Sequence, residues 1–220
     1  HRVDRRQRQM CIRDRRKRDL LKVNKPVDKT EWEMSPQTVN AYYNHSQHEI
    51  VFPAAILQPP FFDSKALAAQ NFGGIGAVIA HEITHGFDDS GAMFDANGNL
   101  NNWWSKDDKE RFDAKTSRLA EQFSHYEVTP HNFINGAFTL GENIADLGGV
   151  TLAYDALQIY LRDKGLNKDQ DVGRIFTPDQ LFFIAWARIW RTKSTQAYLE
   201  NQVKTCLLYT SDAADDLLCV

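Results

Sequence analysis

The residues of this chain best suited to chemistry are His81-Glu82-Ile83-Thr84-His85. On an α-helix, residues four apart stand within ~40° of each other, so both imidazoles face one point. Zinc takes neutral imidazole nitrogen at ~2.0–2.1 Å, and such a pair supplies two ligands. Glu82 is rotated off the line between them, where a carboxylate can act on water at the metal without being a ligand. Taken alone, the five residues also fit a helix with two part-buried histidines. A catalytic zinc needs a third protein ligand and an open fourth position. Gly141-Glu142-Asn143-Ile144-Ala145-Asp146 offers one. Glu142 and Asp146 are again four apart, so one can bind metal while the other accepts the free ring N–H of a ligating histidine. By themselves they would be an acidic first turn complementing a helix dipole. Beside His81 and His85 they become candidate ligands.

Other polar residues carry less. His45 and His48 form an H-x-x-H in a turn and read as a solvated loop, not a second metal site. His125 and His131 flank another loop without a partner at ligand spacing. Asp95-x-Asn97-Gly98 resembles the start of a calcium loop, but no bidentate Glu follows at the required spacing, so it reads as a turn. No Ser or Cys sits in a recognisable nucleophile setting.

The elements that must position these groups are mostly helical. Thr38 to Leu57 holds two β-rich runs joined by a polar turn, a hairpin whose second strand is cut short by Pro53, Pro59 and Pro60. Lys65 to Asp88 reads as a buried helix in which Gly73, Gly74 and Gly76 permit close approach of neighbours. Ser105 with Asp107 and Asp108 is an N-cap with an acidic first turn, opening a polar surface helix to about Tyr126. Another helix runs from about Thr139 to Lys164 and stops at Gly165. Thr177-Pro178 caps an apolar helix from Gln180 to about Trp190. A last one spans Ser194 to Lys204. The expected class is mainly α with a small β-hairpin, without internal repeats.

At 220 residues and 42% hydrophobic content the chain can bury one real core. A net charge of −3 gives no overall argument for nucleic acid or a membrane surface. Its distribution is uneven: the first eighteen residues hold eight Arg and one Lys against Asp4 and Asp14. Such an arm can bind nucleic acid or be disordered. No apolar run reaches ~18 residues, so no transmembrane helix is expected. HRVDRRQRQMCIRDRR has no apolar stretch behind its charges and does not read as a signal peptide. Cys11, Cys206 and Cys219 all lie near the ends, so the core must be held by packing and any metal by His and carboxylates.

Longer blocks are more specific than any of these motifs. VNAYYN, EIVFPAAILQPPFFD, VIAHEITHGFDDSGAMFDANGNLNNWW, NGAFTLGENIADLGGVTLAYDAL and QLFFIAWARIWRTKSTQAYLENQVKT resemble the neprilysin family of zinc metallopeptidases, in order, over about Leu20 to Thr205. The resemblance implies a thermolysin-like zincin catalytic domain, incomplete here, that hydrolyses peptide bonds of oligopeptides. It implies one zinc per chain on His81, His85 and Glu142, with Glu82 as general base and Asp146 supporting a ligating histidine. Asn40 and Ala41 match the Asn-Ala pair that holds substrate main chain in the manner of an added strand. Val78 and Trp190 match positions lining the pocket for the side chain after the scissile bond, although both also suit core packing. Family members are mostly membrane-anchored, secreted or periplasmic.

The chain departs from that pattern at its ends. The family's oxyanion-stabilising histidine falls by spacing at Leu208, and the supporting arginine has no counterpart. Losing one such donor costs roughly 10²–10³ in turnover. The large N-terminal helical domain that restricts family members to peptides is not in the sequence given. A domain over 20–205 is therefore expected between two tails, 1–19 and 206–220, that are non-native or disordered. Both tails look like translated sequencing-adapter sequence, a hypothesis that a clean transcript encoding them in frame would sink.

Overall fold

In the computed structural model the described residues are 12–14, 16–26, 28, 30–167 and 175–205. The expectations for 1–11 and 206–220, Leu208 included, lie outside them. Two compact units are present, His1–Glu33 and Met34–Val220. In the first, residues 12–14 and 16–22 are helical, and Lys22 Nζ meets Glu31 at 2.6 Å. That pair is half exposed and adds little stability.

The second unit is mainly helical, as expected, and holds two small antiparallel pairs where one hairpin was expected. β1 (Tyr42–Asn44) pairs with β2 (Glu49–Val51) in the register Tyr42 to Val51, Tyr43 to Ile50 and Asn44 to Glu49. Asn44 shapes the connection, its Oδ1 accepting the backbone N–H of Ser46 and of Gln47. Short polar side chains favour such turns because they bond main chain two or three residues on.

The segment expected as one helix over 65–88 is built in three pieces. α1 (Ala68–Asn71) and a π-helical turn (Phe72–Gly76) lead into α2 (Ala77–His85). The break is at Gly74, whose ψ of −107° is not helical. A Cβ at Gly73 would lie 2.1 Å from the Phe182 carbonyl oxygen, and one at Gly74 2.4 Å from that of Phe61. Ile75 N–H donates to the Phe61 carbonyl at 2.8 Å, leaving the helical ladder. The glycines thus let the main chain of Phe61 and of Phe182 in a later helix press on the entry to α2.

α3 (Lys106–Ser124) begins at Ser105, whose side chain accepts from Asp108 N–H, and buries only Thr116. β3 (Glu127–Thr129) and β4 (Asn132–Phe133) form a hairpin that the sequence reading missed. Strands of two or three residues show no usable alternation. α4 (Leu140–Asp163) ends before Gly165, which takes the left-handed φ of 64° that favours glycine. α5 (Pro178–Ile189) opens on a capping box: Gln180 N–H donates to Thr177 Oγ1, and Thr177 N–H to Gln180 Oε1. α6 (Gln196–Thr205) follows.

The main core joins Ala77 and Ala80 of α2 to Ala153, Leu157 and Leu161 of α4 and to Leu181 and Phe182 of α5. Full burial of side chains such as Leu157 and Phe182 contributes ~1.5–3 kcal/mol each. α2 and α4 make the most extensive contact between elements, and this pairing positions the chemistry.

Candidate metal centre

Helical spacing places His81 and His85 on one face of α2, and packing turns that face toward the first turn of α4. There Glu142 directs Oε2 at both rings, 3.4 Å from His81 Nε2 and 3.7 Å from His85 Nε2. The two Nε2 atoms are 2.9 Å apart. Donor atoms ~2.0–2.1 Å from a tetrahedral zinc stand ~3.3 Å from one another, so this triangle fits that ion. Among the described residues, these three form the one group of His, Cys or acidic side chains gathered closely enough to hold a metal. All three are buried, and Glu142 Oε2 makes no hydrogen bond.

The other ring nitrogens are each paired with an acid. His81 Nδ1 donates to Asp146 Oδ1 at 2.8 Å, and His85 Nδ1 donates to Asp88 Oδ2 at 2.7 Å. With each Nδ1–H committed to a carboxylate, a neutral ring carries its lone pair on Nε2. Two lone pairs facing each other at 2.9 Å, with a carboxylate oxygen beside them, repel unless a cation lies among them. Glu82 is completely buried next to the pair. Burial alone would push His81 down, but the hydrogen bond to Asp146, then Glu142 and the Glu82 charge, outweigh it and raise its pKa to about 11. Burial likewise depresses His85, and Asp88 and Glu142 reverse this, bringing it to about 9 against the opposing charge of His81. The site attracts positive charge strongly, whether protons or metal.

The family model of peptidase family M13 matches residues 40–206. The chain belongs to peptidase family M13. It is 46% identical to neprilysin-11 of Caenorhabditis elegans over 189 residues, covering 86% of this chain and 22% of that protein. To neprilysin-3 of Drosophila melanogaster it is 45% identical over 179 residues, 81% of this chain and 23% of the relative. A crystal structure of the Mycobacterium tuberculosis zinc metalloprotease Zmp1 in complex with an inhibitor superposes with a TM-score of 0.79 at 51% identity, covering 85% of this chain and 29% of that one. The M13 chain therefore spans about a quarter of the length of the relatives it matches.

The remaining predicted residues of the M13 chain are Asn40, Ala41, Val78 and Trp190. Asn40 is half-buried and Ala41 fully buried, immediately before β1, so the hairpin ladder stops short of their main chain. Ala41 and Val78 share a second apolar cluster with Ile56, Ile75 and Ile189, and Trp190 packs against it. Two residues near the centre differ from what the sequence leads one to expect. Asp88 was missed altogether, although an acid three positions after His85 is a usable signal once His85 is taken as a ligand. His45 is not the solvated turn residue expected: its side chain is only 27% exposed and its Nε2 lies 4.0 Å from Asp88 Oδ1. Burial pushes its pKa down, against the pull of Asp88. His48 does lie at the surface, its Nε2 donating to the Asp95 carbonyl and its Nδ1 2.7 Å from Tyr43 Oη. Asp95 forms the turn expected of it, its Oδ1 accepting from the backbone of Asn97 and Asn99.

Proposed function

We propose that this chain carries the zinc-binding and proton-transferring core of an M13 endopeptidase that hydrolyses peptide bonds of oligopeptides. The observation that carries the reading is the convergence of the two Nε2 atoms and Glu142 Oε2, with a carboxylate behind each ring. His81, His85 and Glu142 would hold zinc. When bound, that ion supplies a Lewis acid that polarises the scissile carbonyl and acidifies water. Asp146 and Asp88 keep the two rings in the ligating tautomer. Glu82, adjacent to the ligands and kept dry, takes a proton from the attacking water and passes it to the leaving amine. Asn40 and Ala41, with main chain outside the hairpin ladder, align an extended substrate by backbone bonds. Val78 and Trp190 border the apolar space for the side chain after the cut.

The test uses a quenched fluorogenic peptide with an apolar residue after the scissile bond, with and without a chelator. Cleavage should require zinc, and Glu82→Gln should keep the metal while losing at least ~10²-fold in rate. Unchanged cleavage by that variant would defeat the mechanism. A second reading is a chain that binds zinc but turns over feebly. It is favoured by Leu208 standing where the resemblance places a histidine. Zinc uptake without cleavage in the same assay would select it.

A further inference from the structure

We propose that His45 is a positioning residue for the metal centre, closing over Asp88 so that this carboxylate holds the His85 ring in its ligating orientation. The inference rests on the zinc reading above and adds the hairpin turn to the structure that maintains the site. His45 sits between β1 and β2, far in sequence from α2, yet its ring is clamped beside the centre. The Tyr43 ring meets it edge-on at 5.0 Å, and Phe94 lies against it at 5.3 Å. Its Nε2 is shut away from water, makes no hydrogen bond, and points at Asp88 Oδ1 from 4.0 Å.

Asp88 is nearly inaccessible, and three donors bond its carboxylate. Oδ2 accepts His85 Nδ1–H, and Oδ1 accepts the backbone N–H groups of Ser90 at 2.8 Å and Gly91 at 2.6 Å. Four donor groups thus surround one buried carboxylate, and His45 supplies the side facing the hairpin. A separation of 4.0 Å is too long for a hydrogen bond. In a dry site, however, an N–H dipole directed at a full charge at that range still attracts, because little screens it. Without the ring, the Asp88 side facing the hairpin opens to space or water, and the carboxylate gains freedom that the His85 ring must share.

The experiment measures zinc affinity of the whole 220-residue chain by competition with a chromophoric chelator. Partners behind a ligating histidine change metal affinity by 10–100-fold, and His45 stands one contact further out, so His45→Ala should weaken zinc roughly three- to tenfold. His45→Gln, which keeps a donor near Asp88, should recover most of that. Asp88→Asn should cost about 10–100-fold, and adding His45→Ala to it should cost less than about twofold more. His45→Ala binding zinc as tightly as the parent overturns the proposal, whatever happens to its melting temperature. So does the same loss in the Asp88→Asn background, which would mean the effect does not pass through Asp88. A parent chain that takes up no zinc overturns the metal-centre reading, and this one with it.

Discussion

Both candidate zinc-ligating imidazoles give their Nδ1–H to a carboxylate, and this sets how the centre responds to pH. With folded pKa values of about 11 for His81 and about 9 for His85, above the ordinary 6.5, both rings hold protons near neutrality when no metal is bound. Their contribution to metal-free stability is fully present below pH ~6.5 and is lost as pH rises through about 9 and then about 11. Zinc needs both Nε2 atoms unprotonated, so it competes with those protons. Calorimetric titrations from pH 6.5 to 8.5 should show zinc affinity rising with pH, with close to two protons released per ion bound. An affinity that stays flat over that range would mean the carboxylates do not load the rings as the geometry implies.

At the scale of elements, the centre depends on how closely α2 and α4 approach. A Cβ at Gly149 would lie 2.7 Å from His81 N, against main chain that cannot swing aside. Gly149→Ala should therefore push the helices apart, costing about 1–3 kcal/mol of stability as read from a urea midpoint. Zinc affinity should fall with it, because Glu142 and Asp146 travel with α4. Leu147→Ala, exposed on the same helix, should stay within about 0.5 kcal/mol of the parent. Equal midpoints for the two variants would remove close packing as the device that assembles the site. The requirement was only partly legible. The G-G pair after Asp146 is visible in the sequence, but which backbone it meets is not.

At the scale of the molecule, large apolar side chains lie exposed around α2. Ile79 and Ile83 of α2, and Phe87 just after it, are exposed. Ile83 and Phe87, with Tyr43, Ile50, Phe94 and Trp103, line a mostly apolar pocket of about 450 Å³. Patches of this kind recruit apolar dyes or other chains. The isolated chain should enhance the fluorescence of anilinonaphthalene sulfonate, and Ile83→Lys should reduce that enhancement. No enhancement from the folded parent would mean that this surface is covered in solution.

What the sequence determined by itself was whatever depends on spacing within a few residues. The i, i+4 relation put His81 and His85 on one face and paired Glu142 with Asp146. The Ser105 and Thr177 caps and the stop at Gly165 were legible for the same reason, since backbone geometry sets them locally. Spacing alone left open which acid faces the metal. Resemblance assigned it to Glu142, and packing places Glu142 beside both Nε2 atoms and Asp146 behind His81, 65 positions away along the chain. The π-helical break before α2, the bond from His85 to Asp88 and the burial of His45 against Asp88 were likewise decided only in three dimensions. Each depends on where distant main chain comes to rest, a balance of core packing and buried charge that no local pattern records.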